Sequence, residues 1–141
     1  MKRMHIAFAA LASLALGACA SAPEAPKLPT YKATLAPGAG ITSSGKGTGE
    51  FTYDPATHTL SYTVSYEGLT GPAVAAHIHG PAEPGANGPP VVPFVSAASP
   101  ITGTATLSDA QAAELAAGKY YVNVHTAANK GGEIRGQITA N

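Results

Sequence analysis

The chain has 141 residues and carries eight basic and eight acidic side chains, so it is formally neutral at pH 7. This length suits one compact domain plus a processed segment and argues against a multidomain assembly. Charged residues make up only 11% of the chain, so the sequence has too few basic side chains to bind a nucleic-acid backbone. Alanine accounts for 29 residues and Trp is absent, so we expect a small core.

The first residues have the pattern of a segment that is removed during processing. Two basic residues precede an apolar run over residues 6–16 that is too short to span a bilayer. Residues 16–19, Leu-Gly-Ala-Cys, then resemble the lipobox, in which the Cys becomes the lipid-bearing first residue after cleavage. This is the only Cys of the chain. We therefore expect a signal peptide over residues 1–18 and lipidation of Cys19.

Residues 19–29 contain three Pro and no periodic pattern, which predicts a tether between the lipid and a domain over residues 30–141. Several acyl chains on one Cys would anchor the protein stably to a membrane. In the lipoproteins that this pattern resembles, Asp directly after the Cys favours retention in the inner membrane, and Ala20 stands there instead. We therefore expect a cell-envelope protein, held on the outer membrane if the host is Gram-negative.

From Thr30 onward the hydrophobic pattern has mostly a period of two, as half-buried strands have. The clearest strand alternates apolar and polar residues over 60–67, and the turn residues at 54–57 make 47–69 a hairpin. The same alternation predicts further strands over residues 31–35, 74–79, 91–95, 103–107, 120–125 and 133–138. Short strands at this spacing predict an all-β Greek-key or immunoglobulin-like β-sandwich of about seven or eight strands.

One segment breaks the period of two. Ser108 is placed to cap a helix that begins at Asp109, Gln111 stands at the capping-box position, and Gly118 supplies a left-handed stop. We predict one short surface helix over residues 109–117 with a structural role.

Three His residues lie in predicted strands, on the faces opposite to the apolar ones. His77 and His79 are two apart, so both project from one face at a separation of about 7 Å. In the strand over 120–125 the two Val residues point inward, and the alternation leaves on the other face Tyr121, Asn123 and His125. If the two strands are neighbours, the three imidazoles converge on one ion such as Cu, Zn, Fe or Ni.

The alternative is that each of these His residues makes ordinary hydrogen bonds on a polar face. If a metal binds, copper is the first choice and zinc the second, because the affinity of nitrogen-rich sites for divalent first-row ions peaks at copper. His58 lies in the predicted hairpin turn, where we expect it to be exposed and a poor fourth ligand.

Glu133 and Arg135 follow the third His on a strand expected to pair with it. Gly131 and Gly132 form a predicted turn, and the resulting hairpin would bring Glu133 near the His cluster. Glu133 could then be a fourth ligand, an acceptor from an imidazole N–H, or the salt-bridge partner of Arg135. Arg135 and Asn123 are further candidates for contacts around the ligands.

Five blocks of the chain have a distinctive residue pattern. They are His-Ile-His-Gly-Pro-Ala at 77–82, Gly-Ala-Asn-Gly-Pro at 85–89, the segment at 107–115, Gly-Lys-Tyr-Tyr-Val-Asn-Val-His-Thr at 118–126 and Gly-Gly-Glu-Ile-Arg-Gly-Gln-Ile at 131–138. Together they resemble the CHRD domain, a module named from chordin and common in secreted bacterial proteins and lipoproteins. The resemblance covers nearly all of residues 31–139. It implies an extracytoplasmic β-sandwich and leaves the biochemical role open.

A weaker resemblance is to copper-zinc superoxide dismutases, which carry a His-x-His strand, a later His strand and an Arg near the end. The corresponding residues here are His77, His79, His125 and Arg135. The chain lacks their disulfide pair, their bridging His and an evident zinc subsite, and fold analogy alone does not carry the activity.

The sequence therefore predicts a lipid-anchored, extracytoplasmic CHRD-type protein that binds one copper or zinc ion through His77, His79 and His125. The alternative is a metal-free envelope module that contacts a protein or a glycan. A second alternative is a redox enzyme of the superoxide dismutase kind, although catalysis is not the leading expectation.

Overall fold

The computed structural model describes Ala22 and residues 24–141. The predicted signal peptide and Cys19 lie outside the described residues. Residues 24–29 are exposed and have no regular secondary structure, so the folded part begins at Thr30. The one helix described has eight residues, and no helix in this part of the chain has the length and apolarity needed to span a membrane.

Nine strands and one helix make up the described region, and each predicted strand is present with ends that differ by at most two residues. The strands are β1 (Thr30–Pro37), β2 (Lys46–Asp54), β3 (Thr59–Glu67), β4 (Ala73–His79), β5 (Pro90–Pro93), β6 (Ile101–Thr106), β7 (Tyr121–Thr126), β8 (Ile134–Gln137) and β9 (Thr139–Ala140). The helix α1 (Asp109–Ala116) lies between β6 and β7.

The strands form two antiparallel layers that share β1. One layer has the order β6-β3-β2-β1 and the other the order β5-β4-β7-β8-β1, while β9 pairs with β1. Strand β1 pairs with β2 along residues 30–35 and with β8 through Ala36 and Pro37. Strand β8 returns late in the sequence to lie beside β1, and this pairing joins the two layers. The prediction of an all-β sandwich with one short helix is confirmed.

The core lies between the two layers. In β3, Leu60, Tyr62 and Val64 are buried and alternate with exposed polar residues. Ile78 of β4 and Val122 of β7 belong to the same core cluster from the other layer. Full burial of such a side chain contributes about 1.5–3 kcal/mol to the stability of the fold. The apolar residues of this alternating pattern therefore hold the two layers together.

The helix α1 begins at the predicted residue and ends one residue earlier than predicted. The Gln111 backbone N–H donates to Ser108 Oγ at 3.2 Å, and the Ser108 N–H donates to Gln111 Oε1 at 2.8 Å. Gly118 has a φ of 71°, which is the predicted left-handed stop. Leu115 is fully buried and fixes the helix to the core.

Strand β7 lies between β4 and β8, so the two His-containing strands are neighbours as the metal hypothesis requires. In this register His77 is opposite Asn123, and Asn123 is opposite Arg135. His79 is likewise opposite Tyr121. The outer face of this layer therefore carries the polar residues of all three strands.

This outer face is covered, which the period of two does not predict. All six residues of β7 are buried, including those that alternate away from the core. The loop over residues 80–89 and the turn over residues 127–133 are both tied to side chains of this face. Their backbone groups bond to Tyr121, Asn123 and His125. The site therefore lies under loops and not on an open sheet surface.

Candidate metal centre

The side chains of His77, His79 and His125 converge on the outer face of β4 and β7. Each ring offers one nitrogen atom, and the three nitrogen atoms lie within 4.8 Å of one another. Nδ1 of His77 is 3.2 Å from Nε2 of His125, and the ring centroids are 5.1–5.6 Å apart. The arrangement brings together the three imidazoles that the strand pattern predicts as ligands.

Two backbone carbonyls set which ring nitrogen carries hydrogen. Nδ1 of His79 lies 2.9 Å from the Gly88 carbonyl oxygen, and Nδ1 of His125 lies 2.9 Å from the Lys130 carbonyl oxygen. Because a carbonyl can only accept, each Nδ1 must donate, and Nε2 of each neutral ring keeps its lone pair. In His125 this lone pair faces Nδ1 of His77. A carbonyl behind the ring is the support that metal-binding His residues have in proteins.

The Nε2 atom of His79 makes no hydrogen bond within the described part of the chain. The same atom is buried. A buried polar atom left without a partner costs about 1–3 kcal/mol. A metal ion bound between the three rings would satisfy this atom, so the residues present fit such an ion.

The surroundings of His77 and His79 favour neutral rings, the form that binds metals. Burial lowers the pKa of His77 below its ordinary 6.5, and the neighbouring His125 and His79 lower it further. Burial also lowers the pKa of His79, and His125 and Arg135 add to this against the opposing hydrogen bond to Gly88.

Glu133 makes its hydrogen bonds to loops instead of to the imidazoles. It is fully buried, and its two oxygens accept bonds of 2.5–3.2 Å from Ser43 Oγ, Thr70 N, Thr70 Oγ1, Thr126 Oγ1 and Asn129 Nδ2. Burial by itself would raise the pKa of Glu133, but these donors outweigh it and lower the pKa to about 2. Within the described residues Glu133 bonds neither to a His nor to Arg135.

Arg135 lies over an aromatic ring. Its guanidinium carbon is 3.7 Å from the centre of the Tyr121 ring. The same group donates to Asn87 Oδ1 at 2.9 Å and to the Ala86 carbonyl at 2.7 Å. The residue pattern predicts no role for Tyr121 at the site, although the alternation that places Asn123 on this face also places Tyr121 there.

The two remaining candidates have different surroundings. Asn123 donates its amide to the Gly131 carbonyl at 3.0 Å and so helps to hold the turn over the site. His58 is exposed in the turn between β2 and β3, as predicted. Its Nδ1 lies 3.4 Å from Tyr53 Oη and 3.3 Å from Asp109 Oδ1, and it is not part of the three-His cluster.

The fold and the cluster define a small antiparallel β-sandwich with three imidazoles gathered under loops on one outer face. The family model of the CHRD domain matches residues 31–138, which is nearly all of the sandwich. The chain therefore belongs to the CHRD domain family. Comparison with curated proteins and with solved structures gave no match.

Proposed function

We propose that this protein is a lipid-anchored CHRD-domain protein of the cell envelope that binds one transition-metal ion through His77, His79 and His125. The observation that carries the proposal is the convergence of three ring nitrogens within 4.8 Å. The carbonyls behind two of the rings, and the buried free Nε2 of His79, support it further.

The donor set indicates the class of metal. Three imidazoles suit copper, zinc, iron or nickel, whereas magnesium and calcium prefer oxygen ligands. Copper is the first candidate and zinc the second, because affinity along the divalent series peaks at copper. Three protein ligands leave at least one coordination position for water or another small ligand.

Metal titration of four variants tests the site. We expect His77→Ala, His79→Ala and His125→Ala each to lower the affinity for copper and zinc. The loss should exceed the roughly 10–100-fold that removal of a group behind a ligand costs. His58→Ala is the matched control and should bind as the wild type does, because His58 lies outside the cluster. Isothermal calorimetry is the measurement.

Equal affinity in the wild type and in His77→Ala would refute the site. If the wild type binds neither copper nor zinc, the metal proposal fails, and a metal-free envelope module becomes the better hypothesis.

The location in the envelope rests on residues 16–19, whose Leu-Gly-Ala-Cys pattern resembles a lipobox. Cys19→Ala should release the protein in soluble form from membranes, because the acylated side chain is its anchor. Ser21→Ala, which leaves the pattern intact, should stay in the membrane fraction. Cell fractionation shows the difference, and mass spectrometry of the mature protein with an unmodified Cys19 would contradict the proposal.

A further inference from the structure

The loop over residues 80–89, between β4 and β5, lies directly against one of the three imidazoles. Its Gly88 carbonyl is the group that accepts from Nδ1 of His79 at 2.9 Å. The position of this carbonyl therefore decides which nitrogen of His79 carries hydrogen and which faces the other two rings.

Tyr121 holds the same peptide from the strand below. The Gly88 N–H donates to Tyr121 Oη at 3.1 Å, and that hydroxyl lies 3.4 Å from the Gly88 carbonyl oxygen. The Tyr121 ring is almost fully buried and stacks on the His79 ring, with 5.3 Å between centroids and 25° between planes. Tyr121 thus contacts both the imidazole and the carbonyl that orients it.

Arg135 holds the loop from the neighbouring strand β8. Its guanidinium stacks on Tyr121 at 3.7 Å and donates to the Ala86 carbonyl and to Asn87 Oδ1. A guanidinium is planar and carries five donors, so it can stack and bond at the same time. These contacts link Arg135, through Tyr121 and residues 86–88, to the imidazole of His79.

We propose that Arg135 and Tyr121 form a clamp that keeps the Gly88 carbonyl on Nδ1 of His79 and so presents Nε2 of His79 to the metal. Both are positioning residues, because neither provides a ligand atom to the three-His cluster. The effect on metal affinity rests on the proposed function. The effect on the His79 tautomer does not, because it is a property of the metal-free protein.

Charge alone predicts the opposite effect for Arg135. A guanidinium near a metal cation repels it, so removing that charge would strengthen metal binding. The clamp predicts that removal of the Arg135 guanidinium weakens metal binding, because the loop and the His79 ring lose their support. The sign of the change in affinity therefore separates the two explanations.

The first measurement is nitrogen NMR of the imidazole rings in metal-free protein. In the wild type we expect His79 to be protonated on Nδ1 alone. In Arg135→Ala a mixture of both tautomers should appear, and Tyr121→Phe should show a smaller change because it keeps the ring but loses both contacts to Gly88. Glu83→Gln is the matched control: Glu83 lies in the same loop and pairs with Lys119, which lies between α1 and β7, so its loss should leave His79 unchanged.

The second measurement is titration with copper and with zinc. Arg135→Ala should bind roughly 10–100-fold more weakly than the wild type. Arg135→Lys should also bind more weakly, because it retains the charge but not the planar stack. Glu83→Gln should bind as the wild type does. Circular dichroism identifies any variant that fails to fold, and in that case Tyr121→Phe decides.

An unchanged His79 tautomer in both Arg135→Ala and Tyr121→Phe would overturn the clamp. Wild-type or tighter metal binding by folded Arg135→Ala would overturn it as well. If the wild type binds no metal, the proposed function fails, and the NMR result alone still supports or overturns the clamp.

Discussion

The carboxylate of Glu133 is held in the protein interior by hydroxyl, amide and backbone N–H donors. Burying a charge is costly unless hydrogen bonds replace the lost water. Here Ser43 and Thr70 come from loops of the first half of the chain, and Thr126 and Asn129 flank the end of β7. One side chain therefore ties three segments together beside the layer that carries the imidazoles.

Replacing Glu133 by Gln should lower the free energy of unfolding at pH 7 by about 2 kcal/mol, because hydrogen bonds to a charged acceptor are exchanged for weaker ones. The pKa of Glu133 falls from 4.5 to about 2 on folding. A lowered carboxyl pKa stabilises the fold above pH 4.5, and this stabilisation is lost as the pH falls toward 2. The difference between the variant and the wild type should therefore shrink over that range.

Urea denaturation between pH 7 and pH 3 measures this difference. Glu67→Gln is the control, because Glu67 is 72% exposed and forms only a surface pair with Lys46. We expect almost no effect of Glu67→Gln at any pH. A pH-independent loss in Glu133→Gln would mean that the charge of the carboxylate is not what stabilises the fold.

At the scale of elements, the turn between β7 and β8 is built around one glycine. Gly132 has a φ of 115°, and a Cβ atom there would lie 1.9 Å from Oδ1 of Asn123. The same turn supplies the Lys130 carbonyl that accepts from Nδ1 of His125. The backbone of this turn therefore supports one of the three imidazoles.

Gly132→Ala should lower the free energy of unfolding by about 2 kcal/mol, because a residue with a Cβ is strained at this φ and collides with Asn123. It should also weaken metal binding by moving the Lys130 carbonyl. The control is Gly131→Ala, since a Cβ at Gly131 would meet nothing within 4 Å. Thermal unfolding and metal titration of both variants make the comparison. Equal melting temperatures and equal metal affinities would show that the turn accommodates a Cβ atom at Gly132 without strain.

At the scale of the whole molecule, the hydrophobic core holds the two layers together. Residues of both layers form one buried cluster, which includes Leu60, Ile78 and Val122. The imidazoles lie on the outer face and outside this cluster. Folding should therefore not require a metal, in contrast to small metal-dependent domains that lack a core.

Treatment with EDTA should leave the β-sheet circular dichroism signal unchanged. A bound metal should still raise the melting temperature, because any ligand that binds only the folded state stabilises it. His77→Ala should show the unchanged spectrum without the rise. Loss of the β signal on chelation would show that the metal contributes directly to the fold.

Much of this architecture follows from the sequence because it depends on neighbours along the chain. The alternation over residues 60–67 and the caps at Ser108 and Gly118 need only local information, and the structure has them as predicted. The same local rule places His77 and His79 on one face of β4. The sequence by itself therefore determined the strands and the helix, and it also determined that His77 and His79 project from the same face.

Tertiary structure decided what lies beside that pair. Pairing of β4 with β7 brings His125 to within 3.2 Å of His77, although the two are 48 residues apart. The role of Glu133 depends on Ser43, 90 residues away. The cover of the site depends on loops held by Arg135 and its neighbours. Such contacts form when the layers pack, and a periodic pattern within one strand carries no information about them.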